Sequence, residues 1–178
     1  MLPREFFHHC PRCGAGPTPA PSAGAYGCAA CGFRFFFNAA AAVAVFVHRP
    51  DGRWLFIRRA RDPGQGRLAP PGGFIDPGET AEAAARREIR EEVGVELAEL
   101  RFVSSHPNAY PYREVTYPTL DLFFEAGVAP GSEPRALDDV ASVGWFEAGE
   151  VAPGELAFVS MQEAWSRILS RRSASGRS

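Results

Sequence analysis

Residues 72–95, GGFIDPGETAEAAARREIREEVGV, constrain the fold of this chain more than any other part of its sequence. A Gly-Gly pair and a Pro-Gly turn precede a run rich in alanine, glutamate and arginine. Thr80 suits a helix N-cap and Gly94 suits a helix C-terminal stop. We therefore predict a helix over residues 80–93, and the question is whether its charges form a solvated face or a site.

A helical wheel with about 100° per residue separates the charges of this helix by sign. An apolar stripe contains Ala81, Ala85, Ile89 and Val93; one flank carries Arg86, Arg87 and Arg90; another carries Glu88, Glu91 and Glu92. Like charges at i,i+3 and i,i+4 spacing repel each other by about 0.2–0.5 kcal/mol per pair. A helix suited only to solubility would alternate signs. We therefore predict that the three carboxylates hold a hard divalent cation such as Mg²⁺, which prefers oxygen ligands.

The four cysteines indicate a second metal site. Cys10, Cys13, Cys28 and Cys31 form two Cys-x-x-Cys pairs, each followed by glycine. Two such pairs supply the four sulfurs of a structural Zn²⁺ site, with no open coordination position for catalysis. A dithiol redox motif or disulfides are the alternatives, and the doubled pattern favours zinc over both. We expect the neighbouring His8 and His9 to be exposed rather than ligands.

Composition and charge exclude some classes of protein. Hydrophobic residues make up 46% of the 178 residues, enough for a packed core, and the net charge of −2 provides no global field that attracts nucleic acid or membranes. No apolar run approaches the ~20 residues of a membrane span, and the first residues lack a signal-peptide core. We expect a cytoplasmic protein without a membrane partner.

The order of the predicted elements suggests two domains. Residues 1–37 form the cysteine module, residues 38–170 a larger domain, and residues 171–178 a disordered tail. In the larger domain we predict strands at 39–47, 54–59, 100–105, 119–125 and 142–146, an irregular loop at 61–73, and a last helix at 158–169. Strands and helices mixed without regular alternation predict an α/β fold with a mixed sheet.

The spacing of the charged stretch resembles a known family pattern. Gly73, Glu79, Arg87-Glu88-Ile89, Glu91-Glu92 and Gly94-Val95 match the Nudix box at every defined position. The strand pair before the box and the late Trp145-Phe146 are also similar to Nudix hydrolases. The resemblance covers residues 38–169 and implies the α/β/α Nudix sandwich with a mixed sheet, preceded here by the small zinc ribbon.

The resemblance also implies roles for individual residues. Glu88, Glu91 and Glu92 would bind the catalytic Mg²⁺ or Mn²⁺, and Glu91 or Glu92 would help to activate the attacking water. Arg87 would position the carboxylates with Glu79 as its partner. Gly73 would offer its backbone carbonyl to the metal.

A cysteine ribbon ahead of the box resembles the NADH pyrophosphatase branch of the family. That branch carries Ser-Gln-Pro-Trp-Pro-Phe-Pro after the box, and residues 105–111, SHPNAYP, match it in about half of the positions. Tyr110 stands at the aromatic place, where it would either stack on a base or ribose or simply pack in a proline-stiffened loop. Glu125 lies where the branch places a further metal-binding glutamate, although an acid at a strand end has no necessary function.

These features predict a metal-dependent hydrolase of a nucleotide-type substrate. The resemblance implies cleavage of the phosphoanhydride in a nucleoside diphosphate linked to another group, with NAD(H) or ADP-ribose favoured. One alternative is a pyrophosphohydrolase of oxidised nucleoside triphosphates. Another is a non-catalytic nucleotide sensor or nucleic-acid-binding protein, although Arg4, Arg12 and Arg34 give the cysteine module only a thin basic footprint. An NAD-type cap on RNA stays open as a substrate. Proteins that the chain resembles are often homodimers, which leaves a homodimer open here as well.

Overall fold

The computed structural model describes residues 1–16, 24–128 and 132–175, with side chains up to residue 173. The chain divides into two compact units, one of Met1–Ala40 with Ala109–Thr119, the other of Ala41–Asn108 with Leu120–Ser178. The first unit thus takes up residues 109–119, which the sequence prediction assigned to the larger domain. Most of the predicted loop inside the cysteine module, residues 17–23, lies outside the described part of the chain.

The first unit is built on a short antiparallel ribbon. Strand β1 (Ala25–Gly27) pairs with β2 (Arg34–Phe36), and a 3₁₀ turn at Pro3–Phe6 precedes the first cysteine pair. Its small core contains the buried Tyr26, Cys10 and Cys28. Phenylalanine rings pack around them, with Phe7 5.4 Å from Tyr26 between ring centroids. A core this small needs a further cross-link or a metal for stability.

The second unit is organised by a six-stranded sheet. Its strands are β3 (Ala40–His48), β4 (Trp54–Arg59), β5 (Leu68–Ala69), β6 (Leu97–Tyr112), β7 (Val115–Val128) and β8 (Val140–Phe146). The order in the sheet is β5-β4-β3-β7-β6, and β8 pairs with β4. β3 and β4 form the predicted antiparallel hairpin, with Val47 opposite Leu55.

Two helices complete the second unit and share one core with the sheet. They are α1 (Ala81–Val93) and α2 (Val159–Ser175). Trp165 of α2 is fully buried, stacks on Phe46 of β3 at 5.4 Å and donates its indole N–H to the carbonyl of Val151 at 2.8 Å. Helices packed on a mixed sheet confirm the α/β/α sandwich that the resemblance implied. In the described chain, no helix is long and apolar enough to cross a membrane.

Three elements differ from the sequence prediction. The segment SHPNAYP is not a loop but part of the long strand β6, because pairing within the sheet satisfies a backbone that its prolines suggested to be irregular. The predicted loop 61–73 contains the short strand β5. Helix α2 continues to Ser175 rather than ending at residue 169. In these additional turns the hydroxyls of Ser170 and Ser173 donate to the backbone carbonyls four residues earlier. Residues 176–178 lie outside the described part of the chain.

Candidate active site

The Gly-Gly pair runs against the edge of strand β3. The Val43 N–H donates to the Gly73 carbonyl at 2.9 Å, and the Val45 N–H donates to the Pro71 carbonyl at 3.0 Å. Gly72 has φ 151°, and a Cβ at this position would lie 2.2 Å from the Val43 carbonyl oxygen. Only glycine therefore allows the loop to approach β3 this closely.

Helix α1 begins and ends as its sequence predicts. The Thr80 hydroxyl accepts the Ala83 N–H at 3.2 Å, and Gly94, at φ 68°, donates its N–H to the carbonyls of Ile89 and Arg90. The buried positions of the helix are Ala84, Ala85, Ile89 and Val93. Three residues of the predicted stripe are thus buried, Ala81 is half-buried, and Ala84 is buried in addition. Burial of this stripe fixes the helix rotation and so the direction in which the carboxylates point.

Arg87 is the hub of the charged cluster. Its Nε and Nη2 donate to the two oxygens of Glu79 at 3.0 and 2.9 Å, a bidentate pair. Its Nη1 donates to Glu88 at 2.8 Å and to Glu91 at 3.0 Å. Nη2 also donates to the Phe74 carbonyl at 3.1 Å. The hydrogen bond from Arg87 lowers the pKa of Glu79, and its acidic partners, Glu79 foremost, raise the pKa of Arg87.

Glu88 lies directly over Gly73. A Cβ at Gly73 would stand 2.5 Å from Glu88 Oε1, so the glycine leaves the space that this carboxylate occupies. The Glu88 side chain is only 14% exposed. Burial raises its pKa, while the hydrogen bond and charge of Arg87 oppose the rise. Glu88 is thus a confined acid held between a glycine and an arginine.

Glu92 has the most perturbed carboxyl group of the helix. Its Oε2 accepts the Gly72 N–H at 2.8 Å. Burial raises its pKa to about 7, the Gly72 hydrogen bond counteracts the rise, and the charge of Glu88 adds to it. Oε1 has no hydrogen-bond donor among the described residues and Oε2 keeps a second lone pair, so the carboxyl group can still bind a cation or a proton.

Two residues near Glu92 were not predicted for the site. The charge of Arg59, at the end of β4, lowers the Glu92 pKa and that of Asp138 raises it. Asp138 has a left-handed φ of 37°, which is uncommon outside glycine. No spacing in the sequence singles out Arg59 among many arginines, because only the fold brings β4 to the helix.

The donor set suits a hard cation. Carboxylate oxygens of Glu88, Glu91 and Glu92 line one side of the helix, and Glu91 is 51% exposed and open to solvent. Among the described residues, the four cysteines alone bring three or more potential metal-ligand atoms within 4.8 Å of one another. The Gly73 carbonyl accepts one backbone hydrogen bond and keeps a second lone pair.

Two further predicted site residues lie on strands β7 and β6. Glu125 is on β7, where its Oε1 is 3.6 Å from Arg101 Nη1 and its charge acts on His48. Glu125 stands two residues after Phe123 and therefore on the same face of β7. The Phe123 ring lies 5.9 Å from the ring of Phe46. Tyr110 is half-buried in the part of β6 that belongs to the first unit. The metal role of Glu125 and the substrate role of Tyr110 stay predictions.

The four cysteines form a compact cluster in the first unit. Cys10 and Cys31 Sγ are 3.7 Å apart, and Cys13 and Cys28 Sγ are 3.8 Å apart. A tetrahedral ion with metal–sulfur bonds of ~2.3 Å requires sulfurs about 3.8 Å apart. Burial works against the Cys10 thiolate, but hydrogen bonds from the backbone of Cys13 and Arg12 lower its pKa to about 6. The cluster can therefore hold a thiophilic ion such as zinc.

The fold and the site together define a class: an α/β/α sandwich with an arginine-organised carboxylate helix against a glycine loop. Comparison with known proteins agrees with this class. The NUDIX domain model matches residues 38–163, well over half of the chain. The chain therefore belongs to the Nudix family.

Individual relatives show which members of the family the chain resembles in sequence. The chain is 34% identical over 154 residues to an NAD-capped RNA hydrolase NudC of Chromobacterium violaceum, covering 85% of the chain and 55% of that protein. It is 34% identical over 128 residues to an ADP-ribose pyrophosphatase of Methanocaldococcus jannaschii, covering 71% of each. The chain spans about half the length of the NudC relatives it matches.

The fold is also similar to solved structures. A NUDIX hydrolase from Nitrosomonas europaea superposes with a TM-score of 0.74, covering 93% of the chain and 92% of that protein, at 21% identity. This likeness supports the fold over nearly the whole chain.

Proposed function

We propose that the chain hydrolyses the phosphoanhydride of a dinucleotide-type diphosphate, with NAD(H) or ADP-ribose as the favoured substrate class. The observation that carries the proposal is the Arg87 hub, which orients Glu88 and Glu91 while Glu92 is held separately by Gly72. Relatives named NAD-capped RNA hydrolase and ADP-ribose pyrophosphatase support the substrate class. NAD-capped RNA is therefore included among the candidate substrates.

In this proposal the residues of the chain have separate tasks. A Mg²⁺ or Mn²⁺ ion held by Glu88, Glu91 and Glu92 would offset the negative charge of the diphosphate. Arg87 keeps Glu88 and Glu91 in place, and Glu79 keeps Arg87 in place through the bidentate pair. Glu92, with its pKa raised to about 7 by burial, can hold or release a proton at Oε1 near neutral pH. Zn²⁺ in the cysteine cluster would be structural.

A substrate panel tests this function. We expect cleavage of NADH, NAD, ADP-ribose or NAD-capped RNA that depends on Mg²⁺ or Mn²⁺, measured by chromatography of the mononucleotide products. Glu91→Gln and Glu92→Gln should each lower kcat by about 10²- to 10⁴-fold, the usual contribution of an acid-base group. Preference for oxidised deoxynucleoside triphosphates would instead assign the sanitising activity. Absence of metal-dependent cleavage on every substrate would refute the hydrolase proposal.

A further inference from the structure

The two faces of the β1–β2 ribbon differ in what they carry. On one face Tyr26 is 1% exposed and lies opposite Phe35, whose ring is 5.2 Å from Phe7. This face supplies the core of the first unit. The other face carries Phe36, which is 59% exposed and contacts no other aromatic ring among the described residues.

The neighbours of Phe36 leave its ring accessible. Ala25 lies directly opposite Phe36, and Gly27 lies opposite Arg34, so the partner strand adds almost no side-chain bulk to this face. Arg34 stands two residues from Phe36 and therefore on the same face, about 7 Å along the strand. Its exposed guanidinium has no carboxylate within 4 Å among the residues that the structure describes. We call Ala25, Gly27, Arg34 and Phe36 the ribbon face.

Charge distinguishes the first unit from the rest of the chain. The first unit contains four arginines, one of them Arg34, and two acids, Glu5 and Glu114, for a formal charge of +2. Since the whole chain has −2, the second unit carries −4. Residues 1–40 account for this net charge, because Arg113 and Glu114 of the added segment cancel each other.

A second exposed aromatic of the first unit lies beside an arginine. Tyr112 is 47% exposed, and the Arg113 guanidinium lies 5.5 Å from its ring centroid. An aromatic face beside a guanidinium can stack a base and attract a phosphate, the combination that single-strand binding surfaces use. The formal charge of +2 on this unit favours a polyanion as the occupant of such a surface.

We propose that the ribbon face binds single-stranded RNA, with a base stacked on Phe36 and a phosphate paired with Arg34. The inference goes beyond the proposed function and rests on it only in the choice of RNA over DNA. Binding at the ribbon face does not require hydrolysis. A failed substrate panel and a failed binding test are therefore separate outcomes.

Fluorescence anisotropy of the zinc-loaded full chain with a labelled, unstructured RNA of about 12 nucleotides tests the proposal. Phe36→Ala should raise the dissociation constant about tenfold, since stacking of one base contributes ~1–3 kcal/mol. Phe36→Trp keeps a π-face and should keep the affinity. Arg34→Gln should lower the slope of log affinity against log salt by about 0.7, the effect of one lost phosphate contact on a single strand.

Matched controls lie in the second unit. Phe102 is a strand residue that is 55% exposed, and Arg53 is exposed as well. The variants Phe102→Ala and Arg53→Gln should change neither the affinity nor the salt slope. Zinc content and circular dichroism confirm that each variant is folded. Equal loss with Phe102→Ala, unchanged binding with Phe36→Ala, or binding of single-stranded DNA as tight as RNA would overturn the proposal. So would a Phe36→Ala variant that only lowers the oligomeric state in light scattering, because the face would then join two copies of the chain.

Discussion

Among the glutamates of helix α1, Glu92 has the pKa that departs most from that of an exposed glutamate. Burial raises its pKa from 4.5 to about 7, so the folded chain binds this proton more tightly than the unfolded chain. Between these two pKa values the folded state carries more protons. Stability from this group is therefore present at low pH and falls as the pH rises through the window of about 4.5 to 7. A cation at the site would reverse the effect by favouring the carboxylate.

The first prediction concerns Glu92→Gln in magnesium-free buffer with the cysteine metal retained. Glutamine still accepts the Gly72 N–H but carries no buried charge. At about pH 8 the variant should exceed wild type in free energy of unfolding by about 1–3 kcal/mol. The difference should shrink towards zero below about pH 4.5, measured by urea denaturation.

Glu99→Gln is the control, because this glutamate is exposed on β6 and should give no pH-dependent difference. Equal stability of Glu92→Gln and wild type at both pH values would contradict the buried-charge description. Mg²⁺ should stabilise wild type and have less effect on the variant, because binding to the folded state raises stability.

At the scale of elements, the loop of residues 71–75 connects the sheet to helix α1. Its backbone pairs with β3, and its two glycines serve different neighbours. A Cβ at Gly72 would clash with the backbone of β3, whereas a Cβ at Gly73 would clash with the end of the flexible Glu88 side chain. Backbone cannot move aside cheaply, but a side-chain carboxylate can rotate. The same Gly→Ala change should therefore affect folding at one position and the site at the other.

The second prediction follows from this contrast. Gly72→Ala should lower the free energy of unfolding by about 3 kcal/mol or more, since it combines a left-handed φ with a backbone clash. Gly73→Ala should stay within about 1 kcal/mol of wild type but weaken Mg²⁺ binding or cleavage at least about tenfold. Thermal unfolding and magnesium titration measure the two effects. Loss of stability in both variants with no difference between them would contradict the assignment.

At the scale of the whole molecule, the two units have separate cores. The first unit rests on the cysteine cluster and a few aromatic rings, and the second on the large cluster around Phe46, Trp54 and Trp165. All three tryptophans of the chain lie in the second unit. Tryptophan emission therefore reports on the second unit alone, while bound zinc reports on the first.

The third prediction is that Cys28→Ser removes the metal and unfolds the first unit without unfolding the second. Zinc stoichiometry should fall from about one to near zero, because three thiolates do not complete the tetrahedral site. The tryptophan unfolding transition should shift by less than about 1 kcal/mol. Ala29→Ser, at an exposed position between the two cysteines of the second pair, is the matched control with full zinc content. A tryptophan transition lost together with zinc would show that the two units fold as one.

Local patterns in the sequence determined the elements and the chemistry of the box. The ends of α1 could be predicted from Thr80, Gly94 and the apolar spacing, because caps and periodicity act within a few residues. The sign segregation on the wheel pointed to the carboxylate cluster for the same reason. The Cys-x-x-Cys pairs pointed to four converging sulfurs, since each pair turns back on itself.

Only the tertiary structure decided what depends on distant parts of the chain. It showed that SHPNAYP pairs as a strand, that Arg59 and Asp138 act on Glu92, and that Glu125 faces Arg101. It also showed that residues 109–119 join the cysteine module and that Phe36 remains exposed. The physical reason is that strand pairing and burial are set by partners far away in sequence. Local propensity indicates which elements form, whereas their packing determines which charges meet and which faces remain open.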